Sequence, residues 1–238
     1  MRTIALKDFF QEIGYDWKQD FEKIKHICYY SKSRPDPKAK KFKMSFGMEQ
    51  PFVLKSIADY FKSKHFFEIG TGRGTACYSI AMSKTIKEIH TIDILKFKEK
   101  RVVAVGTKRA IMSNKGIYKQ IDVPEKDKIH FHLRKSFVRN KLQDYPKFFD
   151  LCFIDGEHDK QDVIMLDFNT CQKIIKKDAI IVFDDYCLDK FGVKGVVDRL
   201  LEDSGFNAVL VEFRGHLFDA NRKEKNEGIV IMSRRKLL

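Results

Sequence analysis

Phe66-Phe67-Glu68-Ile69-Gly70-Thr71-Gly72-Arg73-Gly74-Thr75 is an apolar run that breaks into three alternate glycines and then into an amphipathic helical pattern. Glycine at every second position lets the backbone turn sharply and lets a ligand approach it closely, because no Cβ intervenes and positive φ carries no penalty. The helix that follows aims its free N–H groups at the same place. The spacing is G-x-G-x-G behind an acidic residue, not the G-x-G-x-x-G that seats a pyrophosphate on a helix N-terminus.

Outward from this stretch, apolar strands alternate with helical patterns from residue 50 onward, the order of a doubly wound, mostly parallel α/β sheet. Strands are expected at 66–70, 88–93, 128–133, 149–155, 179–184, 207–212 and 228–233. The fourth and fifth are nearly continuous apolar runs, as suits strands covered on both faces. Phe52, Val53, Ile57, Tyr60 and Phe61 form one helical stripe, and Ile164, Phe168, Cys171 and Ile175 another. No helix separates the last two strands, which predicts an antiparallel final strand. Two regions stand apart from the alternation. Residues 1–45 read as an N-terminal helical appendage, with helices around 6–13 and 17–30 and a polar loop at 31–43, ahead of a domain at 46–238. Residues 95–127 are polar and basic; Val102, Val103 and Val105 followed by Gly106 leave helix and strand both open, and one helix plus a loop is expected.

A chain of 238 residues with 43% hydrophobic content can build one large core. The start reaches Lys7 and Asp8 before any long apolar stretch, so neither a signal peptide nor a membrane span is expected and a cytoplasmic location is. Cys28, Cys77, Cys152, Cys171 and Cys187 are odd in number and lack a C-x-x-C pair, and they read as reduced core residues rather than disulfides or zinc ligands. The formal net charge is +13, with basic clusters at 38–43 and 96–101. Such a surface attracts phosphates, yet the lysines lack the interleaved aromatics of a nucleic-acid stacking platform and also read as solvated faces.

Asp93 ends the strand Ile89-His90-Thr91-Ile92-Asp93, 23 residues after Gly70, where an acid accepts hydrogen bonds from a ribose diol. An ordinary helix N-cap is the alternative. Strand, glycine loop, helix, strand and acid together resemble motif I of class I S-adenosylmethionine-dependent methyltransferases, in which E-x-G-x-G-x-G wraps the methionine and ribose portions. The resemblance implies a Rossmann-like sheet of seven strands with the last reversed. It implies cofactor-binding roles for Glu68, Gly70, Thr71, Gly72, Gly74, Thr75 and Asp93, with Asp155 beside them. Ser136, after the third strand, resembles the position that contacts adenine, although a plain loop serine reads the same way.

A second constellation concerns the chemistry. One strand ends in Ile154-Asp155-Gly156-Glu157-His158 and the next in Ile181-Val182-Phe183-Asp184-Asp185-Tyr186. The 29 residues from Asp155 to Asp184 make one strand–helix–strand unit, so both acids emerge at the carboxyl ends of strands about 4.8 Å apart. Carboxylates this close disfavour one another unless a cation compensates, and a hard divalent ion, magnesium first, is the simplest remedy. Helix capping by Asp155 and Asp185, with Asp184 solvated, is the alternative. The two segments resemble metal-dependent O-methyltransferases of the macrocin type and methyltransferase domain family 24, over residues 48–200. That resemblance implies Asp155, Asp184 and Asp185 as metal ligands. Lys176-Lys177-Asp178 departs from it, since relatives commonly carry a glycine pair there.

Methyl transfer is an in-line displacement that needs an oriented, deprotonated acceptor. His158, three residues beyond Asp155, stands where catechol-type relatives carry a lysine base; it or Asp155 is the expected proton acceptor. The expected activity is O-methylation of a small hydroxylated molecule such as a sugar, catechol or natural product. Two other readings stay open: a nucleic-acid or protein methyltransferase using the basic surface, and a non-methylating adenosyl-binding protein. Against the first, the strand ends in Ile-Asp-Gly-Glu and not in the Asp/Asn-Pro-Pro-aromatic turn of amino-directed base methyltransferases. Phe191, Arg214 and His216 are expected near the acceptor, and a homodimer is plausible by resemblance.

Overall fold

The structure is a computed structural model that describes residues 1–33, 38–157, 159–186, 192–203, 205–213, 217–218 and 228–238. In chain order the strands are β1 (Arg2–Ala5), β2 (His65–Ile69), β3 (Glu88–Asp93), β4 (Arg101–Val105), β5 (Lys108–Met112), β6 (Ile129–Leu133), β7 (Phe149–Ile154), β8 (Ile175–Tyr186), β9 (Asn207–Glu212) and β10 (Gly228–Ser233). The helices are α1 (Leu6–Glu12), α2 (Phe21–Ser31), α3 (Gln50–Tyr60), α4 (Thr75–Ala81), α5 (Asn114–Gln120), α6 (Arg134–Asn140), α7 (Gln161–Ile174) and α8 (Val193–Asp203).

Eight strands form one sheet in the order β1-β9-β10-β8-β7-β2-β3-β6. The pairs β2–β3, β2–β7, β7–β8 and β3–β6 are parallel, and β10 runs antiparallel to both its neighbours, β8 and β9. All seven expected strands are present. The eighth, β1, pairs parallel with β9 at the sheet edge. Only Ile4 of its four residues is buried, too little apolar pattern to stand out in the sequence.

Adjacent residues of each strand serve opposite faces, as the two-residue period requires. Phe66, Leu151, Phe153, Ile180 and Val182 point into the core beneath α1 to α5, while Phe67, Ile69, Cys152, Ile154, Ile181 and Phe183 join the core beneath α6 to α8. The N-terminal helices belong to the first of these layers: Leu6, Phe9, Phe10, Ile24, Ile27 and Cys28 are all buried there. Helix α3 is buried from Gln50 to Ala58, which explains its apolar stripe and brings its first residue to the carboxyl ends of the central strands. Cys28, Cys77, Cys152 and Cys171 are free, buried thiols; Cys187 lies outside the described residues.

One expectation is corrected. Residues 95–127 hold an antiparallel hairpin, β4–β5, as well as α5 and a short 3-10 turn at Pro124–Lys128. Val102, Val103 and Val105 are β-branched and suit a strand. Val105 pairs with Lys108 across Gly106-Thr107, a two-residue turn. The hairpin docks on α2, where the Gly106 amide donates to the Tyr29 carbonyl at 2.8 Å. That tertiary contact is absent from any local pattern. Among the described residues, no helix is long and apolar enough to cross a membrane.

Candidate active site

The site lies at the carboxyl ends of β2, β3, β7 and β8, where a doubly wound sheet leaves a crevice. Gly70 follows β2 with φ +97°, and Gly72 has φ +53°. Their reasons differ. A Cβ on Gly70 would meet the backbone of Asp155 and Gly156, whereas one on Gly72 would find nothing within 4 Å. Gly70 is therefore demanded by the protein itself, and Gly72 leaves its open side for a ligand. Gly74 immediately precedes α4, and Thr75, the first residue of that helix, donates its hydroxyl to Ser31 Oγ at 2.8 Å.

Asp93 closes the loop from the β3 side. Its carboxylate accepts from the Gly72 amide at 2.8 Å and from the Leu95 amide at 2.8 Å. Each oxygen keeps a further lone pair for a diol. Glu68 is fully buried on β2, with Thr91 Oγ1 donating to its Oε2 and Thr71 Oγ1 lying 2.6 Å from Thr91 Oγ1. Burial, reinforced by the charges of Asp155 and Asp93, raises the Glu68 carboxyl well above its ordinary range. Burial thus favours its neutral form.

Asp155, Asp184 and Asp185 each present an oxygen within 4.8 Å of the others. The parallel β7–β8 pairing brings the two strand ends together, and Asp185 sits in the left-handed region at φ +53°. An aspartate tolerates that conformation at a cost, and it turns this side chain back toward its neighbour's site. Gln50, at the start of α3, donates Nε2 to Asp184 Oδ2 and, at 3.4 Å, to Asp155 Oδ2; its Oε1 accepts from Lys32 Nζ at 2.9 Å. One amide thus ties the acids to a cation 18 residues earlier.

Two cavities open on either side of Gly70 and Gly72. The smaller, about 420 Å³, is lined by Ile92, Asp93, Ile94, Leu95, Arg134 and Glu157 among others. The larger, about 620 Å³, is lined by Lys32, Gln50, Glu68, Arg73 and the β4–β5 hairpin. Gly70, Gly72, Arg101 and Asp155 line both. The hairpin is a part of the site that sequence reasoning missed. Arg101 donates to the Gly72 carbonyl, as does Asn114 Nδ2 at 3.0 Å, and Arg73 donates to the Ala104 carbonyl at 3.0 Å. Arg101 stood in one of the two basic clusters, the signal that could have found it.

The expected residues fall into three groups. Glu68, Gly70, Thr71, Gly72, Thr75, Asp93 and Asp155 converge on the two cavities, and Asp184 and Asp185 join Asp155. Ser136, exposed on α6, and Gly74, against the Tyr78 ring, line neither cavity; Arg134, two residues before Ser136, does. His158, Phe191, Arg214 and His216 lie outside the described residues.

Arg134 also anchors the smaller cavity's wall by pairing with Asp167 of α7, a wholly buried carboxylate that burial raises to about 6 despite the guanidinium. A second group of ligand-type atoms, from Glu88, His90 and His130, lies near the start of β3, away from the strand end that carries Asp93. Its buried imidazole is absorbed in packing, since His90 contacts Tyr145, Phe149 and the stacked ring of His132, and His130 is exposed.

A reversed strand β10 between β8 and β9, a glycine loop after the central strand and an acid at the end of the next define the Rossmann-like methyltransferase fold. The family model described as "Methyltransferase domain", Methyltransf_24, matches residues 67–186, just over half of the chain, and the chain belongs to that family. Among curated proteins, uncharacterized protein R132 of Acanthamoeba polyphaga mimivirus is 28% identical over 136 residues, 56% of this chain. The matched part spans 58% of that relative's length. Among solved structures, the O-methyltransferase TomG of Streptomyces achromogenes, involved in tomaymycin synthesis and crystallised with SAM, superposes with a TM-score of 0.58 at 14% identity, covering 95% of this chain and 94% of its own. The O-methyltransferase of Bacillus cereus in complex with SAH gives 0.57 at 13%, covering 95% of each chain. At such identities the likeness is one of fold.

Proposed function

We propose that this chain is an S-adenosylmethionine-dependent O-methyltransferase acting on a hydroxyl of a small sugar, catechol or natural-product acceptor, with magnesium or a similar hard cation at Asp155, Asp184 and Asp185. The observation that carries this reading is the place of Asp155, which lines both cavities and belongs to the acid cluster. Donor, acceptor and cation would therefore share one residue.

The residues fit the groups assigned to them. Three carboxylates form an all-oxygen donor set of the kind a hard divalent ion takes. The unfilled space over Gly72 suits a ligand lying on the loop, and Asp93 beside it suits a ribose diol. A bound cation would lower the pKa of a chelated hydroxyl and hold that oxygen in place. The chain's own part is positional: the glycine loop and Asp93 hold the donor, Gln50 orients Asp184, and Asp155 or His158 takes the acceptor's proton. The four buried thiols suit a reducing compartment such as the cytoplasm.

The net charge of +13 favours a second reading, a nucleic-acid acceptor. Binding to a random oligonucleotide that falls steeply with salt, together with methyl transfer to it, would favour that reading.

Calorimetry with S-adenosylmethionine, with and without magnesium, and transfer of labelled methyl to a panel of catechols and sugars, free and phosphorylated or carboxylated, test the proposal. Cofactor binding is expected in both conditions and turnover only with the metal. Asp184→Ala should lower turnover roughly 100-fold or more while S-adenosylhomocysteine affinity stays within about threefold. Turnover indifferent to chelators removes the metal from the reading, and cofactor binding without any transfer leaves an adenosyl-binding protein.

A further inference from the structure

Four cations line the larger cavity: Lys32, Arg73, Arg101 and Arg109. The hydrogen-bond acceptors of Lys32, Arg73 and Arg101 among the described residues are neutral, and Lys32 also lies in the field of the Glu49 carboxyl. Arg73 donates to the carbonyls of Ala104 at 3.0 Å and Ser33 at 3.2 Å, Arg101 to the Gly72 carbonyl and to Asn114 Oδ1 at 3.2 Å, and Lys32 to the Gln50 amide oxygen at 2.9 Å. Arg109 stands on β5 directly across from Ala104 and is exposed. Two carboxyl groups line the same cavity: Glu68, which burial shifts toward its neutral form, and Asp155, which belongs to the acid cluster.

Arg73 is the costly member. Burial and the neighbouring Arg101 pull it down to about 10, the direction expected of a guanidinium that lacks a counter-charge. A charge withdrawn from water without an opposite partner is unfavourable, and a bound anion removes that cost. Planar guanidinium forks match the oxyanions of phosphate and carboxylate in particular. The cofactor's own carboxylate is one negative charge against four positive ones. Val102, Val103 and Ala104 of the hairpin line the cavity between the cations, an apolar wall beside a charged one.

Resting on the methyltransferase reading, we propose that the methyl acceptor carries an oxyanion, phosphate or carboxylate, seated against Lys32, Arg73, Arg101 and Arg109, with its apolar body against Val102 and Val103. The hairpin is then the acceptor-selecting element of the site. Neutral catechols and free sugars are poor ligands, and their phosphorylated or carboxylated counterparts are good ones.

The test uses the full chain saturated with S-adenosylhomocysteine, into which phenyl phosphate, benzoate and phenol are titrated at constant ionic strength set with potassium chloride. Phenyl phosphate or benzoate is expected to bind at least tenfold more tightly than phenol, and the stronger of the two names the oxyanion. Arg109→Ala and Lys32→Ala should each weaken that anion roughly fivefold or more, with S-adenosylhomocysteine affinity unchanged within twofold. Lys108→Ala, a cation on the same hairpin that does not line the cavity, should change nothing. Equal binding of all three probes overturns the proposal, as does competition between the anion and S-adenosylhomocysteine, which would assign the cations to the cofactor's carboxylate. Failure of the wild-type chain to bind S-adenosylhomocysteine is seen before any probe is added and brings down the methyltransferase reading itself.

Discussion

Gly70 and Asp155 touch backbone to backbone: a Cβ at Gly70 would lie 1.9 Å from the Asp155 carbonyl oxygen, and the Asp155 amide donates to the Ile69 carbonyl at 2.9 Å. The glycine loop after β2 and the acid at the end of β7 are thus one rigid unit. A change in the loop's backbone moves an acid of the proposed metal site.

Gly70→Ala and Gly72→Ala should separate packing from binding. At Gly70 the added methyl collides with main chain and keeps an unfavourable φ, so overpacking of about 1–3 kcal/mol plus strain should lower Tm by roughly 5–15 °C. At Gly72 only the left-handed φ of +53° resists, so Tm should fall by about 2–6 °C. Yet Gly72→Ala should lose tenfold or more in S-adenosylmethionine affinity by calorimetry. Wild-type affinity in that variant would refute the placement of the cofactor on the loop.

Glu68→Gln should behave almost as wild type, because burial favours the neutral carboxyl and Gln keeps an acceptor for Thr91. Thermal melts and calorimetry should show Tm within about 2 °C and cofactor affinity within threefold. Glu68→Leu removes the acceptor and should cost about 1–3 kcal/mol. A Gln variant as damaged as the Leu variant would mean that the ionised form is needed.

Arg134→Met leaves the Asp167 carboxylate buried without its cation. The expected loss is roughly 3 kcal/mol, at the low end for a broken buried pair because Arg134 is partly exposed and Asp167 can take up a proton. Adding Asp167→Leu should restore most of it. A denaturant-unfolding cycle reads the coupling, and additive losses would show the pair to be indifferent.

His132 should make the fold acid-sensitive. Burial first, and then neighbouring His90, pull its imidazole down to about 4 from the ordinary 6.5. Between those values the unfolded chain takes up a proton that the folded chain resists, so stability is complete above about pH 6.5 and is lost as pH falls toward 4. Glu49, raised to about 7 by burial, acts in the opposite sense in any variant that retains it. The difference between wild type and His132→Gln in Tm from pH 7 to 4 therefore isolates the histidine. It should vanish above pH 7 and grow in favour of the variant below pH 6; parallel curves would sink the assignment.

The sheet was legible because its strands carry their own evidence. Apolar runs such as Phe149–Ile154 bury both faces, and the helices between them repeat at helical spacing. Asp93, Asp155, Asp184 and Asp185 were legible for a related reason: strand ends in a parallel sheet bring residues far apart in sequence to one edge. The hairpin at Arg101–Met112 was not legible, because its stability comes from docking on α2 and on Gly72 rather than from its own polar sequence. Gln50 likewise gave no local sign that its amide would join Asp184 to Lys32.

The sequence by itself determined the α/β order, the glycine loop and the acids, since each rests on periodicity or on positions relative to a strand end. Only the tertiary structure decided what surrounds them: why position 70 must be glycine, which carboxyl burial pushes toward its neutral form, and that four cations face the larger cavity. Those depend on distances between segments that meet only after folding, and burial and charge act through such distances and not through sequence spacing.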